Sequence, residues 1–217
     1  MKKDYSFVLL DLDGTITDSG PGIMNGFEYA IRKMGGEVND RSSLRRFIGP
    51  PLEESFGVLL GYSPEDSTKA IGYYRDYYFN RGGINENTVY PGIEIVLSEL
   101  KGRGKKLLVA TTKIEKGAKL VIEHFGLGKY FAFISAANST DRKTKAQVIR
   151  YGLEEVGCTD ISKALMIGDR HYDIEGAKEV GLDSVGALWG YGSREELKEA
   201  GATYLLNKPG EILNMFR

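Results

Sequence analysis

The sequence predicts an α/β fold, a doubly wound, Rossmann-like parallel sheet interrupted early by a small α-helical insertion. Three observations carry that expectation. Short apolar runs without polar alternation recur along the chain, as strands covered on both faces require. Helical periodicities fall between them, and strand alternating with helix builds a parallel sheet. Residues 19–88 break the rhythm, with helical patterns and no convincing strand.

Taken in order, the first apolar run is Phe7-Val8-Leu9-Leu10. Turn-prone sequence then opens the insertion at Ser19-Gly20-Pro21-Gly22 and closes it at Arg81-Gly82-Gly83 and Tyr90-Pro91-Gly92. Helical patterns inside it cover 23–34, 52–60 and 68–79. The expected organisation is therefore a discontinuous core, 1–18 and 89–217, around an insertion at 19–88. Past the insertion, Ile93, Val96, Leu97 and Leu100 share a helical face before the run Leu107 to Ala110. Leu120, Val121 and Phe125 share another before Phe131 to Ile134. Val148, Ile149, Leu153 and Val156 form a third before Ala164 to Ile167. Weaker runs follow at Val185 to Leu188 and Tyr204 to Leu206.

Composition removes several function classes. Of 217 residues, 29 are Lys or Arg and 30 Asp or Glu, so the formal charge is -1. A chain without basic excess is poorly suited to a nucleic-acid polymer. No stretch approaches the roughly 18 consecutive apolar residues that would cross a bilayer. The single cysteine, Cys158, permits no internal disulfide, and the start of the chain lacks the long apolar stretch of a secretory signal. A soluble cytoplasmic protein is expected.

The chemistry gathers at strand ends. The first run leads into Asp11-Leu12-Asp13-Gly14-Thr15, beyond the carboxyl end of a strand, where open parallel sheets collect ligands. Residues i and i+2 project to one side if the extended conformation persists, so Asp11 and Asp13 can converge on a hard cation such as Mg²⁺. An Asp-Gly turn at a helix start is the plainer alternative. The run Ala164 to Ile167 leads into Gly168-Asp169 and, four residues on, Asp173, which either joins the acidic site or caps the next helix. Leu107 to Ala110 leads into Thr111-Thr112-Lys113, whose hydroxyls and amides suit a phosphate, or are simply turn residues.

These segments resemble the motifs of the haloacid dehalogenase superfamily, on its phosphatase branch, most of all the phosphoglycolate phosphatase and 5′-nucleotidase group. The resemblance spans essentially the whole chain. Asp11 to Thr15 is similar to the first motif, DxDGT; Thr111 to the second; Lys145 to the third; Gly168, Asp169 and Asp173 to the fourth, GDxxxD. Lys143, two residues before Lys145, is an alternative for the third. The insertion resembles the family's helical cap, and Phe47 to Leu52, with Gly49 and Pro50, its substrate-facing segment. Trp189-Gly190-Tyr191-Gly192 resembles a loop after the fifth strand. Thr112 stands where Ser or Asn is commoner, which leaves its amide in place.

The resemblance implies a magnesium-dependent phosphatase for a small phosphorylated metabolite, phosphoglycolate or a nucleoside monophosphate. Asp11 would be the nucleophile, Asp13 the acid and base, and Asp11, Asp13 and Asp169 the metal ligands, Asp13 also through its main-chain carbonyl. Thr111, Thr112 and Lys145 would bind phosphate, and Asp173 would support the metal shell from outside. Arg45, beside Arg46, is a candidate substrate contact with Gly49 and Pro50, or a solvated helix end. His171 and His124 fit neither a zinc site nor a nucleophile triad. The run Tyr73, Tyr74, Tyr77, Tyr78 and Phe79 suits helix packing, with a nucleobase platform as its alternative. Gly190 and Gly192 do not complete a dinucleotide fingerprint, and no P-loop occurs. The rivals are a phosphomutase of the same superfamily and a non-catalytic metabolite-binding module.

Overall fold

A computed structural model describes residues 4–138 and 140–216. In chain order the strands and helices are β1 (Phe7–Leu10), β2 (Thr17–Asp18), α1 (Gly20–Lys33), α2 (Leu52–Glu54), α3 (Pro64–Arg75), β3 (Thr88–Val89), α4 (Ile93–Gly102), β4 (Lys106–Ile114), α5 (Glu115–His124), β5 (Phe133–Ala137), α6 (Lys145–Glu155), β6 (Ala164–Gly168), α7 (His171–Val180), β7 (Asp183–Ala187), α8 (Arg194–Glu199) and β8 (Tyr204–Leu206). The chain divides into two compact units, residues 1–17 with 89–217, and residues 18–88.

The larger unit is the predicted α/β sheet. Six strands lie in the order β5-β4-β1-β6-β7-β8, with every pairing parallel. Val8, Leu9 and Leu10 of β1 are wholly buried because strands flank them on both sides and helices cover both faces. On one face Leu9, Leu108 and Met166 meet Val148, Ile149 and Leu153 of α6 and Ala177 of α7. Truncating such a leucine to alanine costs about 2–5 kcal/mol, the transfer term plus the cavity it leaves. Helix α6 starts where it does because Thr144 caps it: its hydroxyl accepts from Gln147 N, and Gln147 reaches back to Thr144 N.

Two details differ from the sequence expectation. The strand expected at Phe131 to Ile134 begins two residues later, since Phe131 closes a 3₁₀ turn over Leu127–Tyr130. Leu120 is exposed; the face α5 buries is Gly117, Ala118, Val121 and Ile122, a stripe whose small residues carried no hydrophobic signal.

The smaller unit is helical. Helices α2 and α3 each run on into a single π turn, Ser55–Leu59 and Asp76–Asn80, and a 3₁₀ segment covers Arg41–Phe47. Phe27 of α1 is its centre, with the rings of Phe47, Phe56 and Tyr74 at 4.7, 4.9 and 5.0 Å. Tyr74 and Tyr78 of the tyrosine run are buried within this unit, which is the packing role. None of the described helices is long and apolar enough to cross a membrane.

Candidate active site

Register gathers the site. Leu10 pairs with Val109 of β4 and Ile167 of β6, so Asp11, Thr111 and Asp169 come to the same edge of the sheet. Asp11 is still held as strand, its N–H donating to Ile167 O at 2.9 Å. Immediately afterwards the chain turns, and Leu12 O accepts from the amides of Ile16 and Thr17. Gly14 makes this possible at φ +93, and a Cβ there would lie 2.2 Å from Asp169 Oδ2.

The carboxylates that meet are those of Asp11, Asp169 and Asp173, all buried, each with an oxygen within 4.8 Å of the others. The buried ammonium of Lys145 stands among them, donating to Asp11 Oδ1 at 2.6 Å, Asp173 Oδ1 at 2.7 Å and Ala110 O at 2.8 Å. Three protons and three acceptors leave it fully used. Its stem lies across Gly176 of α7, where a Cβ would come within 2.7 Å of Lys145 Cγ. Lys143 is exposed, and its main-chain N–H donates to Gln147 Oε1 in the α6 cap.

Asp169 is further pinned by Thr15 Oγ1 at 3.1 Å and by the amide of Tyr191 at 2.8 Å. That amide comes from the loop after β7, whose Trp189 Nε1 donates to Thr15 O at 3.0 Å. Asp173 joins the acidic site and is not the N-cap of α7, which is Arg170; it is the third residue of that helix, where Oδ2 accepts from Arg170 N while Oδ1 faces Lys145.

Burial pushes the Asp11 carboxyl up to about 7, against the pull of Lys145 and with further help from Asp173 and Asp13. Burial, then the charges of Asp173 and Asp11, also hold Asp169 well above the carboxylate range. For Lys145, burial works toward deprotonation, but the charges of Asp11 and Asp173 outweigh it and keep the ammonium protonated. One ammonium cannot neutralise all three carboxyl groups, so a cation bound among them would favour their ionised forms. The donors are all hard oxygens, so the set fits Mg²⁺ in charge and in chemistry.

The other predicted residues fall in three places. Thr111 is buried, its Oγ1 accepting from Lys113 N at 3.2 Å, and Thr112 follows, half-buried. The carboxylate of Asp13 is directed to Lys113, not to the carboxylate trio, because the chain has already left the extended conformation at Leu12. Arg45, Gly49 and Pro50 belong to the helical unit; Arg45 is exposed at the end of its 3₁₀ segment, and Gly49 sits at φ +110.

A family model described as haloacid dehalogenase-like hydrolase matches residues 8–187. This chain belongs to that family. Among its relatives, a 5′-nucleotidase of Pseudomonas aeruginosa is 36% identical over 195 residues, covering 89% of this chain and 87% of that protein. The tyrosine-protein kinase PtkA of Mycobacterium bovis is also 36% identical, over 199 residues, covering 90% of this chain and 66% of that longer protein. A solved structure described as a predicted phosphatase from Clostridium acetobutylicum superposes with a TM-score of 0.92 at 45% identity, covering 97% of each chain.

In this haloacid dehalogenase-like hydrolase several contributors escaped the sequence reading. Lys113 was seen only as part of a strand-end triplet, although it stands two residues past Thr111. Thr15 was read as motif, without a hydrogen-bonding role. Glu196 of α8 accepts from Arg170 Nε, His171 N and His171 Nδ1 at 2.8 to 3.0 Å and so ties down the Asp169–Asp173 loop. Burial alone would raise Glu196, but its contacts to Arg170 and His171 prevail and draw it down to about 2. No local signal links residue 196 to residue 170; only folding does.

Proposed function

We propose that this hydrolase is a Mg²⁺-dependent phosphomonoesterase that works through an aspartyl-phosphate on Asp11. The observation that carries the reading is the buried trio Asp11, Asp169 and Asp173 around Lys145 at the carboxyl edge of the sheet. Lys145 holds one oxygen of Asp11 at 2.6 Å, a contact that would fix the carboxylate's orientation for in-line attack.

In this scheme an Asp11 oxygen bonds to phosphorus while the ester P–O bond breaks. Asp13 gives its proton to the departing alkoxide, then takes one from the water that attacks the acyl phosphate. Asp11 is released as carboxylate together with inorganic phosphate. Thr111 and the amide of Thr112 bind the phosphoryl oxygens as their charge redistributes, and Lys145 joins them by giving up one of its three acceptors. Asp11 and Asp169, with the Asp13 main-chain carbonyl and with Asp173 in support, would hold the metal, which when bound would supply charge neutralisation between an anionic nucleophile and an anionic substrate.

The substrate class is a small phosphorylated metabolite such as phosphoglycolate or a nucleoside monophosphate, supported by similarity to the 5′-nucleotidase above and to a phosphoglycolate phosphatase of Vibrio parahaemolyticus 25% identical to this chain. Residues 19–88 are assigned the part of a cap, and Arg45, Gly49 and Pro50 substrate choice, on resemblance to the family's cap segment. The cytosol is the proposed place of work, consistent with a single unpaired cysteine.

The test is a Mg²⁺-supplemented screen of phosphorylated metabolites, ranked by kcat/KM and scored for free phosphate against isomerised substrate. Release of phosphate that EDTA stops and Mg²⁺ restores, with a hydroxylamine-labile phosphoryl label absent from Asp11→Asn, is expected. Isomerisation without phosphate release would replace the phosphatase with a mutase, and full activity in EDTA would remove the metal.

A further inference from the structure

The Lys113–Asp13 ion pair plays no part in the scheme above, yet it is built with care. Lys113 Nζ lies 3.1 and 3.0 Å from the two carboxylate oxygens of Asp13, a two-point contact between side chains 10% and 13% exposed. Three features of the chain place that ammonium. The register of β4 against β5 shifts between Thr111 and Ile114, so the strand bulges over Thr112 and Lys113. Thr111 Oγ1 accepts from Lys113 N and fixes the bulged backbone. The aliphatic stem then runs over Gly117 of α5, where a Cβ would stand 3.3 to 3.5 Å from three of its carbons, so the stem lies close against the helix.

Asp13 needs such a partner. It lies on a turn rather than in a strand, is half-buried, and is outside the carboxylate trio that Lys145 organises. A carboxyl group that must meet first a leaving oxygen and then a water has to be held within a fraction of an ångström. A lysine two residues beyond the phosphate-binding Thr111 is well placed for this, because the same bulge then sets both the phosphate pocket and the acid.

We infer that Lys113 is a positioning residue for Asp13, governing departure of the leaving group rather than binding of the phosphate. Lys113 keeps its own proton throughout; the proton given to the alkoxide is Asp13's, and it is replaced from water. The inference rests on the assignment of Asp13 as acid and base under the proposed function.

The experiment compares two esters by kcat/KM, which reports events up to departure of the leaving group. One is p-nitrophenyl phosphate, whose phenolate leaves without protonation; the other is the best alkyl phosphate from the screen. Lys113→Met is expected to lower kcat/KM about 10- to 100-fold on the alkyl ester and less than about threefold on the aryl ester. The double variant Asp13→Asn, Lys113→Met is expected to be no slower than Asp13→Asn alone, because the lysine acts through a group already removed. Equal losses on both esters, or additive losses in the double variant, would overturn the inference and make Lys113 a phosphate ligand in its own right. An Asp13→Asn enzyme whose loss is the same on both esters would instead remove Asp13 as the acid, and Lys113's role with it; that failure shows in a different protein. Should Lys113→Met not melt cooperatively, Lys113→Gln, which keeps a donor, carries the same comparison.

Discussion

Helices α6 and α7 are joined twice by ion pairs of almost equal length, and the two joints do opposite things. At their amino-terminal ends Lys145 and Asp173 meet at 2.7 Å with side chains 4% and 2% exposed. Toward their carboxyl-terminal ends Arg150 and Glu179 meet at 2.9 Å with side chains 52% and 62% exposed. Distance alone would rate them alike. Solvent separates them: water screens the outer pair to a few tenths of a kcal/mol, while the inner charges have lost hydration and must be satisfied by one another. The lesson is that the inner joint is more than a rivet, since one ammonium stands among three buried carboxyl groups and leaves oxygens over that a cation could engage.

The sharpest way to break that comparison is to remove the carboxylate proposed as nucleophile, which the inner joint holds. Asp11→Asn is expected to lower phosphate release by more than about 10³-fold on every ester while the chain stays folded, checked by steady-state kinetics beside circular dichroism. Next comes Lys145→Met, which leaves the buried carboxylates uncompensated. Without added metal at pH 8 it is expected to cost about 3–5 kcal/mol in urea melts, along with most of the activity; an unchanged midpoint would contradict the buried-charge account.

Acid titration probes the same buried carboxyl groups in the wild type. Asp11 goes from an ordinary value of 3.8 to about 7 on folding, and Asp169 shifts the same way. A carboxyl raised in the folded state binds its proton more tightly there than in the unfolded chain. Its penalty is therefore absent below about pH 4, grows as pH rises, and is complete above about pH 7. Metal-free protein is expected to lose on the order of 2–4 kcal/mol of stability across that window, and saturating Mg²⁺ to flatten the slope; a metal-free protein equally stable at pH 5 and pH 8 would speak against it.

Smaller still, Gly176→Ala drives a methyl against the Lys145 stem and the Ala146 amide, for about 1–3 kcal/mol and a reduced kcat/KM. At the bottom of the scale, Arg150→Ala at the outer joint is expected to shift stability by less than about 0.5 kcal/mol and to leave kinetics unchanged. A larger effect there would erase the contrast between the two ends.

Much of this was legible along the chain, and unevenly so. Buried strands such as Phe7–Leu10 and Ala164–Gly168 declare themselves because a strand covered on both faces has no polar residue to spare. The acidic residues that follow them declare a site because a parallel sheet opens at its carboxyl edge. Lys145 could be preferred to Lys143 from its place before α6, and it is the one that reaches Asp11. Less legible was α5, where the buried stripe is built on Gly117 and Ala118 while Leu120 faces water. Hydrophobic pattern reads bulk, and a close helix–sheet contact is made by small residues.

What the sequence by itself determined is the frame: a parallel sheet, an insertion, and strand ends carrying carboxylates, hydroxyls and a lysine, all set by local periodicity and by residue type. What only the tertiary structure decided is which carboxylates share a space. The i, i+2 expectation joined Asp13 to Asp11, but the turn at Leu12 gives the Asp13 carboxylate to Lys113, while Asp173, from a helix 162 residues further on, stands beside Asp11. The reason is physical: a side chain's direction follows from the backbone at its own residue, whereas its neighbours follow from where the whole sheet register brings distant strands to an end.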